Sequence, residues 1–381
     1  MRILLTTDTV GGVWTYAVDL ARALRAHGVE VALATMGAAP RPDQRRQLES
    51  LDNVGAFEST FKLEWMNDPW DDVRRAGDWL LGVEAEFRPD VVHLNGYAHG
   101  ALPWRSPVLV AGHSCVLSWW QAVKGEPAPP AWDRYRHEVR RGLHAADLVV
   151  APSAAMLREL RRLYGPLPNA SVIPNGRDAH PFRRDAKEPF VLAAGRLWDE
   201  AKNLAALDHA APHLDWPIYV AGEDRAPGGD PVPASAWHVR PLGRLDESAL
   251  AKWMGRAAIY ALPAKYEPFG LSALEAALCG CALVLGDIES LREVWADAAA
   301  FVPPGDAAAL RRELVHLIRN PRRRVELAER ARRRAARYST GAMADAYVEV
   351  YRRLARSGRT DPAAHAPREA AAQAAPALSA T

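Results

Sequence analysis

The sequence predicts an α/β protein built from two doubly wound, Rossmann-like halves that face each other across a cleft. Three observations predict it. The chain has 381 residues, more than one hydrophobic core organises, since cores stop growing near ~250–300 residues. Short apolar runs alternate with helical patterns throughout, the mark of parallel sheets covered by helices. The alternation pauses at a polar, proline-containing stretch, NGRDAHPFRRDAKEP, residues 175–189.

In the first half the strand candidates are Arg2–Thr7, Val29–Thr35, Asp90–Leu94, Val108–Ala111, Leu148–Ala151 and Ser171–Ile173. The helix after the first of them sets Val13, Ala17, Ala21 and Leu24 on one face, and Gly28 ends it. The second half offers Phe190–Ala194, Ile218–Ala221, Trp237–Val239, Ile259–Leu262, Ala282–Leu285 and Ala300–Val302. The pause therefore divides an N-terminal domain, residues 1–180, from a C-terminal domain, residues 186–340. Open parallel sheets bind ligands beyond the carboxyl ends of their strands, so the cleft between the halves is the expected site. The final stretch, residues 358–381, is rich in Ala and Pro with no apolar face to bury, and is expected to be disordered.

Bulk composition excludes several classes. The formal net charge of +2 selects no oppositely charged partner. No run of about 18 apolar residues is present, so no membrane-spanning helix is expected. MRILLTTD enters a strand pattern directly, without signal-peptide architecture. The three cysteines, Cys115, Cys279 and Cys281, are odd in number and lack metal-ligand spacing. They read as reduced core thiols of a cytoplasmic protein. Residues 311–337 hold eleven Arg against three Glu, without the interleaved aromatics that nucleic-acid binding favours. A solvated helical face is the plain reading there, and peripheral contact with anionic lipid is the more specific one.

Three segments carry candidate chemistry. Gly11-Gly12 falls between the first strand and the first helix, where glycines let backbone approach an anion at a helix N-terminus. A tight turn explains it equally well, and neither a dinucleotide fingerprint nor a Walker A motif is present. In VLAAGRLWDEAKNL, Arg196 and Lys202 flank a loop at a strand's carboxyl end. There a planar fork and a point charge suit a diphosphate, against the alternative of two solvated cations. In EPFGLSALE, Glu267 precedes a helix and Glu275 lies within it, with the amides of Phe269, Gly270 and Leu271 between them. Carboxylates accept from hydroxyls and repel phosphate. The fitting ligand has a phosphate centre with sugar hydroxyls on both sides, that is, a nucleotide-sugar.

With these segments in hand, the sequence resembles the family 4 retaining glycosyltransferases of the GT-B fold, along almost the whole chain to about residue 357. The spacing of Glu267 and Glu275, joined to Arg196 and Lys202, is its most specific feature. ADLVVAPSAAM and VIPNGRD look like the family's last N-domain strand and helix and its interdomain junction. The resemblance implies that Glu267 binds hydroxyls of the transferred sugar and Glu275 the donor ribose. Arg196 and Lys202, with amides of Gly12 and of Phe269–Leu271, would hold the diphosphate. His113 matches the active-site histidine, although a packed loop histidine is the bland alternative. HVRPLGRLD matches the region that contacts the base. A C-terminal helix near residues 341–357 would cross back to the N-domain.

The implied reaction moves a hexose from a nucleoside-diphosphate sugar to an acceptor hydroxyl with retention, the leaving phosphate taking the acceptor's proton. No cofactor or metal is implied, and no D-x-D triplet occurs. A nucleotide-sugar-binding protein without turnover is the alternative, disfavoured because Glu267, Arg196, Lys202 and His113 all persist. Two departures stand out: Ser114 follows His113 where an acidic residue is common, and GDIESLREVW replaces a glycine- and proline-rich turn. Donor base, hexose and acceptor are left open by these motifs. Tryptophans in residues 62–73 and 113–127 suit an acceptor platform or plain loop packing.

Overall fold

The structure, a computed structural model, describes residues 1–225 and 238–358. Among these, two wholly parallel sheets account for the strands. The first comprises β1 (Arg2–Asp8), β2 (Glu30–Met36), β3 (Val54–Glu58), β4 (Val91–Leu94), β5 (Val108–Ala111), β6 (Leu148–Ala151) and β7 (Ala170–Val172). Their order is β3-β2-β1-β4-β5-β6-β7. The second comprises β8 (Glu188–Ala194), β9 (Ile218–Ala221), β10 (Arg240–Gly243), β11 (Ala257–Leu262), β12 (Ala282–Gly286) and β13 (Ala300–Val302), ordered β10-β9-β8-β11-β12-β13.

Central strands are covered by helices on both faces, so they read as unbroken apolar runs. Ile3, Leu4 and Leu5 of β1 are fully buried, as are Ile259, Tyr260 and Ala261 of β11. In each sheet the strand order reverses beside the first strand, between β1 and β4 and between β8 and β11. Such switch points open crevices at the strands' carboxyl ends. Gly11-Gly12 follows β1, and Gly195-Arg196 follows β8.

Two edges depart from the sequence reading. The sequence reading has no strand at β3, whose residues are partly or largely exposed, with Val54 and Phe57 reaching the core only from the edge. The strand expected at Trp237–Val239 lies instead at Arg240–Gly243. Val239 is buried, but ladder pairing with β9 begins at Arg240 and includes Pro241, which an edge strand tolerates. Trp237 and the tail beyond Gly358 lie outside the described residues. All three cysteines are buried and free.

The chain passes between the domains twice, and the two passages touch. Arg177 forms a parallel bridge with Ser339, and its amide donates to Tyr338 O at 2.9 Å. The last helix, Thr340–Ser357, then packs on the first domain's core through Met343, Tyr347, Tyr351 and Leu354. His93 of β4 lies fully buried against it, its Nδ1 2.6 Å from the Tyr351 hydroxyl. The helix Pro321–Ala335 buries Leu327, Ala328, Ala331 and Ala335 and turns Arg323, Arg332 and Arg333 outward.

A Cβ on Gly176 would stand 2.2 Å from Ser339 O, against rigid backbone. Gly176→Ala is therefore expected to force the two passages apart, costing about 1–3 kcal/mol as overpacking does. A fall in the urea midpoint at unchanged m-value checks it.

Candidate active site

The two switch points face one another across a cleft of about 420 Å³, within the usual range for small-molecule sites. Gly11, Gly12, His113, Arg196, Lys202, Glu267, Phe269, Gly270, Leu271 and Glu275 all line it. The N-domain wall begins where Asp8, at the end of β1, accepts the Val10 amide at 2.8 Å and turns the chain. The helix Gly12–Leu24 starts there with no side-chain cap. Its first amides are thus available to an anion, and the helix dipole adds positive potential. Gly11 is extended, at φ −176°, a backbone conformation open to any residue. An added Cβ there would reach Arg196 of the other domain at 4.0 Å.

His113 follows β5. Its Nε2 lies 2.8 Å from Asn95 Oδ1, and Asn95 Nδ2 is committed to Thr6 O at 2.6 Å. The imidazole therefore donates from Nε2 and leaves Nδ1 as an acceptor. Tyr16 stands edge-on to the ring, centroids 4.4 Å apart. Burial holds the His113 pKa down to about 4 and, with the nearby His113 charge, that of His93 down to about 3. Both are neutral at pH 7, so His113 enters the cleft as a hydrogen-bonding group without charge.

On the opposite wall each expected cation has a carboxylate partner. Arg196 Nη2 pairs with Asp199 at 2.7 Å, and Lys202 Nζ with Glu267 Oε2 at 2.6 Å. Burial pushes the Asp199 carboxyl up, but Arg196, Lys202, the Trp119 indole and the Ala201 amide together hold it below its ordinary value. Glu267 Oε1 accepts the Gly270 amide at 3.0 Å. This corrects one expectation: of the three amides read as phosphate donors, that of Gly270 is already engaged by the carboxylate three residues before it. Gly270 takes φ +91°, a left-handed conformation that favours glycine. The helix Leu271–Leu278 begins next, also without a side-chain cap. Phe269 is 2% exposed and stacks edge-on to Tyr338, so its ring is core.

Glu275, in the second turn of that helix, is buried against Arg177, whose Nε lies 2.8 Å from Glu275 Oε1. Burial raises the Glu275 pKa to about 7 in spite of Arg177, helped by Glu247 and Asp19. The place of Arg177 is not legible in the sequence, because its partners are remote in the chain.

Sequence reasoning also missed the ties between the walls. Trp119 Nε1 donates to Asp199 Oδ1 at 2.9 Å, so its indole braces the Arg196 loop. Tyr266, beside Glu267, accepts the Cys115 amide at 3.0 Å and bonds Ser118 Oγ at 2.8 Å. Three further tyrosines hold the same segment: Tyr97 at Ser114 O, Tyr164 at Cys115 Sγ and Tyr135 at the Val116 amide. The backbone after His113 is thereby fixed from both domains. Asp199 did carry a local signal, since it stands directly before the turn Glu200–Lys202 and caps it through the Ala201 amide.

Comparison with known proteins agrees with this fold. Residues 10–180 match the model described as Glycosyltransferase Family 4, and residues 177–334 match Glycosyl transferases group 1. The chain is a family 4 glycosyltransferase of the GT-B fold. This glycosyltransferase is 29% identical to a glycogen synthase of Mycobacterium tuberculosis, over 92% of this chain and 94% of that one. It is 28% identical to a D-inositol 3-phosphate glycosyltransferase of Kineococcus radiotolerans, over 91% of each. Its fold resembles that of sucrose-phosphate synthase from Thermosynechococcus elongatus, with TM-score 0.80, 21% identity, and 94% and 100% of the two chains covered. Anabaena HepE is also similar, with TM-score 0.72, 17% identity, and 93% and 100% covered.

The depressed histidines make a signed prediction. A histidine whose folded pKa lies below its unfolded value near ~6.5 contributes stability above that value and loses it as pH falls. Glu275, held high, acts in the opposite sense as pH rises through 7, so a variant isolates the histidine. His93→Gln is expected to be less stable than the wild type at pH 7.5 and to lose less between pH 7.5 and 5. Urea midpoints at the two pH values check this.

Proposed function

We propose that this glycosyltransferase moves a hexose from a nucleoside-diphosphate sugar to an acceptor hydroxyl, with retention of anomeric configuration and without a bound metal. The acceptor is a glycan, lipid or small molecule. The reading is carried by Lys202 Nζ on Glu267, one ammonium joined to a carboxylate at the mouth of an uncapped helix. A lysine has three donors. It can keep Glu267 oriented toward sugar hydroxyls while also meeting a phosphate oxygen.

In this reading Arg196 and Lys202 bind the diphosphate, together with the amides of Gly12, Phe269 and Leu271. Glu267 and neutral His113 take hydroxyls of the transferred sugar, and Glu275 takes the ribose. The leaving phosphate accepts the acceptor's proton on the same sugar face. The protein's share is then electrostatic: it stabilises the departing diphosphate and shields an oxocarbenium-like sugar. The solved complexes of HepE with UDP and with UDP-glucose make uridine nucleotides the first donors to try. The outward Arg323, Arg332 and Arg333 suit peripheral contact with an anionic lipid surface, which co-sedimentation with anionic against neutral vesicles tests.

Arg196→Ala or Lys202→Ala is expected to lower kcat by order 10²–10³, as loss of a preorganised charge-stabilising donor does. A thermal-shift panel of UDP-, GDP- and ADP-sugars should single out one nucleotide. A ligand at 100 Kd adds about 2.7 kcal/mol, and Glu267→Ala should diminish that shift. Turnover surviving EDTA, with NMR showing the donor's anomeric configuration in the product, is the expected result. An inverted product would end the retaining reading.

A further inference from the structure

Arg177 leaves the first interdomain passage and enters the cleft wall, 4% exposed. Its guanidinium meets carboxylates from three helices. Nη1 bonds Asp19 in the N-domain helix Gly12–Leu24. Nη2 bonds Glu247 at 2.6 Å, at the start of the helix Glu247–Arg256. Nε stands 2.8 Å from Glu275 in the helix Leu271–Leu278. Phe182 lies beneath the guanidinium, 4.8 Å from ring centroid to Cζ.

Among the described residues, Arg177 is the cation that serves Glu275. Arg22 is engaged by Asp19 at 2.9 Å, Arg196 by Asp199 and Lys202 by Glu267. A buried carboxylate without a counter-charge takes up a proton. Once protonated it is a weaker acceptor and has lost half of its symmetry toward two adjacent hydroxyls.

We infer that Arg177 is a positioning residue for donor-ribose capture: it keeps Glu275 ionised and aimed into the cleft, and it does so through a guanidinium that also holds the N-domain at Asp19. The inference rests on the reading of Glu275 as the ribose ligand. It makes ribose recognition a property of the assembled domain pair, since the cation that serves Glu275 is anchored on both sides of the cleft.

Asp19, Glu247 and Arg177 face Glu275 from the three neighbouring elements, and the Tyr260 hydroxyl faces it from β11. With the Glu275 pKa lifted to about 7, the carboxylate is ionised above that pH. Ribose capture therefore strengthens as pH rises through 7. Removing Arg177 takes away the group that opposes the lift, so the transition moves to higher pH.

The test measures calorimetric binding of UDP, GDP and ADP, each against its 2′,3′-dideoxy analogue, from pH 6 to 9. The proteins are wild type, Arg177→Lys, Arg177→Met and Glu275→Gln. Wild type should prefer the ribonucleotide by about tenfold, the worth of hydrogen bonds to a charged group, with the preference shrinking below pH 7. Arg177→Met should lose that preference at pH 7.5 and regain part of it by pH 9, whereas Arg177→Lys keeps more. The donor KM should rise with little change in kcat. Should Arg177→Met fail to fold, Asp19→Asn/Arg177→Met removes one stranded carboxylate with the cation and serves in its place. An unchanged ribose preference and pH midpoint on loss of Arg177, with Glu275→Gln still losing the preference, overturns the inference alone. A Glu275→Gln protein with full ribose preference overturns the ribose reading and the inference together.

Discussion

The present shape of the cleft depends on a charge imbalance buried between the domains. One guanidinium from the linker serves Asp19, Glu247 and Glu275, which belong to three helices and two domains. Desolvating such groups costs as much as their attraction returns, so the cluster is weak evidence of net stability. Its physical effect is selective. A domain arrangement that parts Arg177 from Asp19 or Glu275, both buried, leaves a charge in low dielectric, a penalty of several kcal/mol, whereas Glu247 keeps partial contact with solvent. The arrangement that keeps these buried contacts is thereby favoured, and the more exposed pairs around the rim, such as Lys124–Glu200 and Arg244–Asp43, add little by comparison.

The wall bearing Arg196 and Lys202 follows a related rule. Arg196 and Lys202 stand ready without repelling each other, because Asp199 and Glu267 neutralise them in place. Under the proposed function a diphosphate need not evict those carboxylates, for Arg has five N–H donors and Lys three. The electrostatic work of gathering two cations at one spot is done during folding and not during turnover, which is the preorganisation that transition-state stabilisation requires. Trp119 and Tyr266 extend the arrangement across the cleft, so the loop bearing His113 and the loops bearing Arg196 and Glu267 form one hydrogen-bonded assembly.

Most of this fold was legible in the sequence because parallel strands buried on both faces leave continuous apolar runs, as in β1, β11 and β12. The strands at the edges were not: β3 reaches the core only from the edge, and β10 begins with Arg240-Pro241. The candidate site was legible where each element's chemistry is local. A strand, a glycine and a charged residue within a few positions announce a ligand loop, which is how Gly11-Gly12, Arg196, Lys202, Glu267 and Glu275 were found. Arg177, Trp119 and Tyr266 act through partners 158, 80 and 151 positions away. No periodicity or spacing records such a contact, because it is created only when both domains are complete.

The returning helix bears on how the molecule is made. The first sheet ends at Val172, yet the core beside β1 and β4 is closed by Tyr347, Tyr351 and Leu354. On the ribosome, therefore, the N-terminal half must wait with an open apolar groove while residues 173–339 are synthesised. Tyr16 and the ring of His93 lie on its floor. The second domain, contiguous in the chain, has no such wait. Domain order in the sequence is thus the reverse of the order in which the two cores are sealed, and the helix Thr340–Ser357, translated after the whole second domain, is the one that completes the first.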